Sequence, residues 1–511
     1  ATLNPSATPG AVPSRECCAA RSQPPKPTVL WDSTACPDRY GIDLPGKYLQ
    51  GTHGGKHMTA SDSLTALADD LPGAVVLPGD DAWDTARTPW NLAVDQHPAA
   101  VVLPRTAEDV VSAMTAARHR GLAVAVQGTG HNAAPLAAHG GLDGALLLNM
   151  SGMQGVSVDP HTRIARVEAG ALWGQVTAAA AVHGLTALAG SSADVGVVGY
   201  TLGGGISWLA RAHGLAANQV TAVEVVTPDG RQRRVDASTE PDLFWALRGG
   251  GGNFGVVTAL EFRLFEVADI FAGAMFWPVE RADEVLQVWR TWLDEIPERV
   301  TSAARVMHFP PMPELPEPLR GNSYVVVEAA MLLEDHVAND LLAGLRDLGP
   351  AMDTFGRIPM TDLAQLHMDP PGPVPGVGDG LLLRDLDEQT ITQFASVASA
   401  ESMLLSCEFR HLGGALTPGR VDGGAVSGLD ADFLFFAVGV APVPEAAAAV
   451  AKAVQRVKGT LEPVRAARTF SNFCESAASP ESLYGPSLER LRAVRDRYDP
   501  QRIMRAHQPL G

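Results

Sequence analysis

Short apolar runs alternate with amphipathic segments in the first part of the chain. Three of the runs have the length and composition of β-strands: AAVVLP, LAVAVQG and GALLLNM. Between the first two, residues 107–120 place apolar side chains at helical spacing, and Thr106 and Gly121 are the expected cap and end of that helix. A further strand, IARVEAG, precedes a second helix, LWGQVTAAAAVHG. This alternation predicts a small α+β domain.

The segment at residues 222–235 has apolar residues at alternate positions on both sides of a Pro-Asp-Gly turn. Two alternating runs joined by such a turn predict a β-hairpin. Because a hairpin pairs its strands antiparallel, the sheets of this protein are not expected to be fully parallel.

Longer helical patterns appear beyond about residue 265, between strongly apolar strands. The strands include SYVVVEAAML and DFLFFAVGVAP, and the helices are ERADEVLQVWRTWLDEI, EDHVANDLLAGLRDLG and PEAAAAVAKAVQRVKG. This pattern predicts a second domain in which helices cover one face of a largely antiparallel sheet. Near the C-terminus, a last helix is predicted between Pro486 and Pro500.

Residues 1–57 differ from the rest of the chain. They are rich in proline, serine, glycine and threonine and show no sustained periodicity. Such a composition is typical of segments that bury too little apolar surface to fold, so a disordered leader or a non-native remnant is predicted. A short ordered arm that packs on the body is the alternative.

The composition limits which binding partners and which cellular compartment are expected for the protein. The chain has 511 residues, of which 46% are hydrophobic, so two domains are expected. A formal net charge of −18 disfavours nucleic acid and anionic membranes, and no apolar run reaches the length of a membrane span. The five cysteines have neither metal-ligand spacing nor the pattern of a disulfide framework. We therefore expect no metal site and a reducing, cytoplasmic location.

The stretch VAVQGTGHNAAP, residues 124–135, contains GTGHNA, which fits the glycine pattern of dinucleotide-binding turns. A nicotinamide-binding turn also opens a helix and is followed about 20 residues later by an acidic residue. Here the turn runs into Pro135, and the next strand ends in Asn149 and Met150. A Rossmann-type reductase is therefore the weakest interpretation, although glycine backbones of this kind can still converge on a pyrophosphate.

Two more glycine-rich stretches follow, at residues 190–205 and 248–258. The three stretches, with His131 in the first, resemble the flavin-binding domain of the vanillyl-alcohol-oxidase type, and specifically the berberine-bridge-enzyme-like oxidases. In that family the first loop reads approximately R-S-G-G-H-S and the second G-T-C-P-T-V-G-V-G-G; here they are residues 127–132 and 190–199. The family's C-terminal pattern is matched by YGPSLERLRAVRDRYDPQRIMR.

The resemblance implies a fold and a cofactor. The fold is α+β, with a two-part FAD-binding domain (58–265 and the returning segment 466–511) and a substrate domain (266–465) whose large antiparallel sheet is covered by helices. The cofactor is FAD, attached covalently through His131. The implied cofactor-binding residues are Gln127, Gly128, Thr129, Gly130, His131, Asn132, Ser191, Ser192, Val195, Gly196, Gly199, Val257 and Asn472.

Three positions depart from the family's pattern. Bicovalent members attach a second flavin carbon to a cysteine of the second loop; Ser192 stands at that position, so single attachment is predicted. The tyrosine that many members use as a catalytic base is replaced by Phe470, in a motif that keeps Asn472. The carboxylate base of the alkaloid-type members aligns with Phe435. The base is therefore expected elsewhere in the chain.

The strand LLSCEFRHLGGA places ionisable side chains in an otherwise apolar run. Strand alternation puts Glu408 and Arg410 on one face and His411 on the other. Buried charges are costly unless they are paired, so Glu408 and Arg410 are candidate catalytic residues, together with Asn472. Glu408 is the candidate base, with a pKa that burial raises and Arg410 lowers. A structural Glu–Arg pair at a sheet edge is the alternative.

Val195 stands three residues after Ser192, where related enzymes place a gatekeeper beside the flavin ring. In the family a small valine at this position is associated with access of O₂, and bulkier leucine or isoleucine with its exclusion. An oxidase is therefore predicted. The alternative is an ordinary valine that packs under the cofactor.

The predicted activity is hydride transfer from a small organic substrate to flavin N5, followed by reoxidation by O₂ to hydrogen peroxide. The missing tyrosine base favours phenols, amines or polyketide-like intermediates of secondary metabolism, which acidify their own reacting bonds. The alternatives are a sugar or alcohol oxidase, a dehydrogenase of the same fold with another acceptor, and a flavin-carrying binding protein that has lost its chemistry. A composition rich in alanine, glycine and arginine and poor in lysine is typical of a bacterial source.

Overall fold

The computed structural model of the protein describes residues 60–71 and 73–511. The prediction for residues 1–57 lies outside the described residues. Within them, two five-stranded sheets and a short two-stranded sheet are followed by one eight-stranded sheet.

The first sheet is built by the alternating strands and helices at the start of the described chain. Its elements in chain order are α1 (Ala60–Asp70), β1 (Val75–Val76), α2 (Trp83–Arg87), β2 (Ala100–Val102), α3 (Ala107–Arg120), β3 (Val124–Gln127), α4 (Ala134–Ala138) and β4 (Leu146–Asn149). The strands β2, β4 and β3 pair in parallel, whereas β1 is antiparallel to β2. Their side chains are buried on both faces, as expected of parallel strands covered by other layers.

The helix α3 begins and ends where the sequence predicts. Thr106 accepts a hydrogen bond from the backbone N–H of Asp109, and the Asp109 carboxylate accepts one from the N–H of Thr106. This reciprocal arrangement is a capping box, which satisfies two backbone donors that the first turn leaves free. Gly121 ends the helix with φ of +65°, a left-handed conformation that glycine adopts without strain.

The second sheet is antiparallel and contains the predicted hairpin. The elements of this region are β5 (Val156–Asp159), β6 (Ile164–Glu168), α5 (Trp173–Ala181), β7 (Leu185–Thr186), α6 (Val197–Leu202), α7 (Ala210–His213), β8 (Val220–Val226), β9 (Gln232–Asp236), α8 (Pro241–Leu247), β10 (Val256–Arg263) and β11 (Phe265–Glu266). The strand order is β5-β6-β10-β8-β9, and β7 pairs separately with β11. Strands β8 and β9 form the hairpin, which confirms the prediction from the Pro-Asp-Gly turn.

The third sheet has eight strands, and all of its pairings are antiparallel. Its strands run in the order β15-β12-β14-β13-β18-β19-β17, with β16 paired to β12. The elements of this region are β12 (Asp269–Pro278), α9 (Ala282–Trp292), β13 (Val300–His308), β14 (Ser323–Met331), α10 (Asp335–Leu341), α11 (Ala343–Asp347), β15 (Met352–Asp353), β16 (Gly356–Pro359), β17 (Gly376–Leu383), α12 (Glu388–Ala400), β18 (Ser406–His411), β19 (Phe433–Val440) and α13 (Pro444–Leu461).

The two faces of the eight-stranded sheet have different neighbours. Helices α9, α12 and α13 cover one face, where apolar side chains such as Phe394 and Phe409 form a continuous core. On the other face, Ala303 packs against Trp208, which belongs to the region of the second sheet. The fold is therefore α+β, with a two-part first domain and a large antiparallel sheet covered by helices, as predicted.

One segment that was predicted as a single helix forms two helices in the structure. The pattern EDHVANDLLAGLRDLG predicts a single helix, but the chain forms α10 and then α11, with Leu342 between them at ψ of −7°. The break is at Leu342, and the short second helix contains Gly344, a residue of low helix propensity because glycine loses the most backbone freedom in a helix.

The C-terminal segment returns to the first sheet. It forms α14 (Pro480–Tyr484), α15 (Leu488–Tyr498) and β20 (Met504–Arg505). β20 pairs in parallel with β3 and completes the order β1-β2-β4-β3-β20. The helix predicted between Pro486 and Pro500 is confirmed as α15. Among the described helices, none combines the length and the apolar composition that crossing a membrane requires.

Candidate active site

A deep cleft lies where the three glycine-rich stretches meet the face of the eight-stranded sheet that is opposite helices α9, α12 and α13. Its volume of about 440 Å³ lies within the roughly 300–1,000 Å³ typical of small-ligand sites. The cleft is lined by every candidate residue of the sequence analysis: Gln127, Gly128, Thr129, Gly130, His131, Asn132, Ser191, Ser192, Val195, Gly196, Gly199, Val257, Glu408, Arg410 and Asn472.

The glycines of the cleft keep its wall open. A side chain at Gly130, whose φ is +83°, would come within 2.5 Å of the Cβ of Pro89. At Gly199 and Gly252 a Cβ atom would meet nothing within 4 Å and would project into open space. Bare backbone at such points allows a ligand to approach the main-chain N–H groups closely.

His131 lies at the end of the loop that follows β3. The Trp90 ring stacks on the imidazole, with centroids 4.0 Å apart and an interplanar angle of 16°. The imidazole Nδ1 is 2.7 Å from Thr129 Oγ1, and Nε2 is 3.5 Å from Asp194 Oδ1. The stacking and the two polar contacts fix the plane of the ring.

Asp194 and Ser192 meet His131 from the second glycine-rich loop. Asp194 accepts hydrogen bonds from Trp90 Nε1 at 2.6 Å and from Ser192 Oγ at 2.7 Å. Burial alone would raise the pKa of Asp194, but its contacts with His131, Ser192 and Trp90 outweigh burial and lower that pKa to about 2. Asp194 is therefore a permanent anion beside the imidazole, and Ser192 is a donor to that anion.

Strand β18 lies in the middle of the eight-stranded sheet, between β13 and β19. Glu408 and Arg410 face the cleft, while Cys407 and Phe409 face the helix layer. The predicted alternation is confirmed. The alternative of a Glu–Arg pair at a sheet edge is wrong in its placement, because both neighbouring strands are paired with β18.

A buried cluster of charges surrounds Glu408. His367 lies between two carboxylates, with Nδ1 2.7 Å from Glu328 Oε2 and Nε2 2.7 Å from Glu408 Oε2. Arg410 donates from Nε to Glu408 Oε1 at 2.8 Å, and Arg305 pairs with Glu328. Each charge has a partner of opposite sign, which is the condition under which burial of charges is tolerated.

The cluster determines the protonation of its members. Burial would raise the pKa of Glu408, but Arg410 and His367 outweigh it and hold that pKa well below its usual range. For His367, burial and Arg305 lower the pKa, yet the facing carboxylates, led by Glu328, raise it overall. The sequence left open whether burial or Arg410 has the larger effect on the pKa of Glu408. In the structure the positive charge of Arg410, together with that of His367, outweighs burial. Glu408 is thus a fixed anion and a weak proton acceptor.

Glu475 faces the same cleft from the loop that follows Asn472. Its Oε2 accepts a hydrogen bond from the N–H of Gly378 at 3.2 Å, and the neighbouring Asp379 pairs with Lys458. Burial first, and the charge of Asp379 second, raise the pKa of Glu475 to about 7, although the Gly378 hydrogen bond opposes them. Among the described residues no cation pairs with Glu475.

The motif of Phe470 and Asn472 holds the loops together. Asn472 donates to the carbonyl of Tyr200 at 3.0 Å, and its Oδ1 would be only 2.4 Å from a Cβ at Gly203. Phe470 packs in an apolar cluster behind the cleft, whereas Phe473 lines it. The asparagine thus ties the C-terminal segment to the end of α6.

The alignment of Phe435 with a cleft residue is wrong. Phe435 is fully buried in the helix-covered core, where it packs against Phe394 and Phe409. Because side chains alternate along a strand, the next residue, Phe436, faces the cleft, beside Glu408 of the neighbouring strand.

Several residues in or next to the cleft were missed by the sequence analysis. Arg305 and Glu328 carry the same signal that identified Glu408, a charge within an apolar strand. Asp194 and Glu475 lie two and three residues beyond motif positions that were noticed. His367 and Trp90 are on irregular segments, and no local pattern marks them as neighbours of the site.

Comparison with known proteins agrees with this geometry. Residues 98–236 match the family described as FAD binding domain. (R)-6-hydroxynicotine oxidase from Paenarthrobacter nicotinovorans is 32% identical over 216 residues, which are 42% of this chain and 46% of the relative. The match spans about half, or less, of the length of the curated relatives.

Two solved structures extend the likeness to nearly the whole fold. The BBE-like 1 protein of Physcomitrella patens has a TM-score of 0.76 at 21% identity, covering 89% of this chain and 99% of the relative. Glucooligosaccharide oxidase from Acremonium strictum, described with a 6-S-cysteinyl, 8α-N1-histidyl FAD, has a TM-score of 0.73 at 21% identity and covers 88% of this chain and 99% of its own.

The cleft fits FAD on its own chemistry. The bare glycine backbone leaves room for a pyrophosphate, and two buried polar atoms of the first loop, His131 Nε2 and Asn132 Oδ1, have no hydrogen-bond partner among the described residues. Residues 98–236 therefore form an FAD binding domain, and the fold of the described chain is that of the BBE-like 1 and glucooligosaccharide oxidase structures.

Proposed function

We propose that the protein is an FAD-dependent oxidase of small organic substrates, with the flavin attached once, through His131. The observation that supports this function best is the continuity of the cleft, which runs from the glycine-rich loops and His131 to the charged wall around Glu408. Bound FAD supplies the redox chemistry, because it accepts a hydride at N5 and passes two electrons to O₂ to give hydrogen peroxide.

The proposed attachment rests on the residues of the first two loops. His131 lines the cleft with its ring plane fixed, and Ser192, at the position of the second attachment in bicovalent relatives, donates its hydroxyl to Asp194. A serine hydroxyl is a poor candidate for the second bond. The backbone around Gly128, Gly196 and Gly199 would hold the pyrophosphate and the ring.

The charged wall would orient the substrate. Glu408 and Arg410 face the cleft as permanent charges, so they can bind the polar end of a substrate without changing protonation state. Asn472 would fix the backbone beneath the bound cofactor. We propose that Glu475 is the base that accepts the proton of the substrate, because a base works best when its pKa lies near the operating pH.

The opposed environments of the two glutamates support this division of roles. Glu408 pairs with cations, whereas Glu475 is buried and lies near the like charge of Asp379. Gly380, Phe436 and Glu408 lie side by side on neighbouring strands, and Glu475 contacts Gly378, two residues along the outer strand. Carboxylates whose pKa values are pushed apart within one site commonly take different parts in catalysis.

The substrates proposed are amines, phenols and polyketide-like molecules that acidify their own reacting bond. The amine class is supported by the carboxylates that line the cleft and by the likeness to a protein named (R)-6-hydroxynicotine oxidase. A sugar oxidase is the second candidate, since glucooligosaccharide oxidase shares the fold. A cytoplasmic location and the domain boundaries at 57, 265 and 465 stay predictions.

A substrate panel tests this function. Purified protein is mixed with amines, phenols and sugars in air, and peroxide release is measured together with anaerobic bleaching of the flavin spectrum. Bleaching and peroxide with an amine or phenol are expected. Bleaching without rapid reoxidation in air would indicate a dehydrogenase, and no bleaching by any compound would favour a binding protein that has lost its chemistry.

A further inference from the structure

The carboxylate of Asp194 makes contacts that binding of the cofactor alone does not explain. Trp90 donates to Oδ2 and Ser192 donates to Oδ1, and Oδ1 also lies 3.5 Å from His131 Nε2. Trp90 in addition stacks on the His131 ring. Two donors thus hold one anion against one edge of the histidine that carries the cofactor in the proposed function.

The position of this anion selects a tautomer of the imidazole. A negative charge near Nε2 favours the proton on that nitrogen, which leaves the lone pair on Nδ1. The Thr129 hydroxyl lies 2.7 Å from Nδ1 and can donate to that lone pair. The Thr129 hydrogen bond and the charge of Asp194, 3.5 Å from Nε2, therefore favour the same tautomer, with the proton on Nε2 and none on Nδ1.

We propose that Asp194 is a positioning residue for flavin attachment: it holds the His131 proton on Nε2, leaves Nδ1 unprotonated for the bond to the cofactor, and stabilises the positive charge that develops on the ring. The proposal rests on the proposed attachment through His131. A carboxylate that orients a histidine and stabilises its cationic form is a common device in enzymes.

The bond formation balances with dioxygen as the oxidant. One C–H bond of the flavin 8α-methyl group and the imidazole N–H break, and the bond between C8α and Nδ1 forms. The two protons and two electrons released reduce one O₂ to hydrogen peroxide. Asp194 is unchanged at the end, since its part is to hold the proton on Nε2 until it leaves.

Trp90 and Ser192 hold the carboxylate in place. Because both donate to Asp194, the anion is satisfied without a cation and its charge stays directed at His131. Asp194 is 28% exposed in its side chain and His131 22%, and His131 lines the cleft. The site is thus open to the cofactor while the pair is fixed by its neighbours.

The test follows attachment and not turnover. The full-length parent and the variants Asp194→Asn, Asp194→Glu and His131→Ala are produced in riboflavin-limited cells and incubated with FAD in air. Samples are precipitated with acid at intervals, and flavin is measured in the pellet and in the supernatant. Asp159→Asn, the same chemical change at the exposed end of β5, is the matched control.

We expect Asp194→Asn to bind FAD but attach it about 10- to 100-fold more slowly than the parent, the usual effect of removing such a partner. Asp194→Glu should recover most of the rate, because it restores the charge, and Asp159→Asn should match the parent. A shape effect would slow both Asp194 variants alike and overturn the proposal.

Three further outcomes distinguish failure of this inference from failure of the proposed function. Asp194→Asn could attach flavin at the rate of the control while the parent keeps its flavin and His131→Ala releases it. That result would overturn only the role proposed for Asp194. An Asp194→Asn protein that folds but holds no FAD would assign the carboxylate to cofactor binding and also overturn the proposal. Release of flavin from the parent would contradict the attachment itself.

Discussion

Replacing Glu475 with glutamine is expected to remove a pH dependence that the parent shows in the reduction of its flavin. With a pKa of about 7, Glu475 is about one-tenth ionised at pH 6 and about nine-tenths ionised at pH 8. If the ionised form accepts the substrate proton, the rate of reduction should rise about tenfold between these two values. Glu475→Gln should be slower by roughly 10² to 10⁴ and lack this limb.

The assay is anaerobic stopped-flow reduction with a substrate identified by peroxide release, at half-unit steps from pH 5.5 to pH 8.5. Glu280→Gln is the matched control, because it makes the same chemical change at an exposed position that does not line the cleft. A Glu475→Gln enzyme that keeps the rising limb would refute the assignment. The proton would then be accepted by another group or leave without protein assistance.

The pKa of Glu475 can also be tested without a substrate. Folding raises this pKa from 4.5 to about 7, so the stabilisation by the protonated form is complete below the unfolded pKa and is lost as pH rises through 7. Relative to the parent, Glu475→Gln should therefore show a larger gain in Tm at pH 8 than at pH 5. An equal difference in Tm at both values would show that Glu475 does not titrate in this range.

Three other variants test separate parts of the site. Val195→Leu should slow reoxidation by O₂ much more than reduction by substrate, and equal slowing of both half-reactions would remove Val195 from the gatekeeper role. Glu408→Gln should keep the rising pH limb but lower the free energy of unfolding by about 3 kcal/mol, because it leaves buried cations unpaired; chemical denaturation measures this change. Ser192→Ala should leave the flavin in the acid-precipitated pellet, and its loss would show that Ser192 takes part in attachment.

Local patterns predicted most of the fold because they are set by neighbours in sequence. The capping residues of α3 and the turn of the β8–β9 hairpin depend on a few adjacent residues, so their signals are readable. The helix at residues 334–349 was predicted as continuous because its apolar spacing is regular. Its break at Leu342 depends on backbone detail that spacing does not report.

The candidate site was predicted in part. The glycine-rich loops and His131 follow each other in a recognisable order, and Glu408 stands out as a charge in an apolar strand. The rest of the charged cluster around Glu408 could not be assembled from the sequence, because Arg305, Glu328 and His367 come from three separate segments. The exchange of Phe435 for Phe436 shows that an alignment without register cannot decide which side chain faces a cleft.

The most direct test of the account is to locate the flavin on the protein. The purified chain is denatured in acid and digested, and the flavin-bearing peptide is identified by its absorbance and sequenced by mass spectrometry. We predict one flavin per chain on the peptide that contains His131, with the peptide of Ser192 unmodified. Flavin found free in the supernatant, with His131 unmodified, would contradict the account.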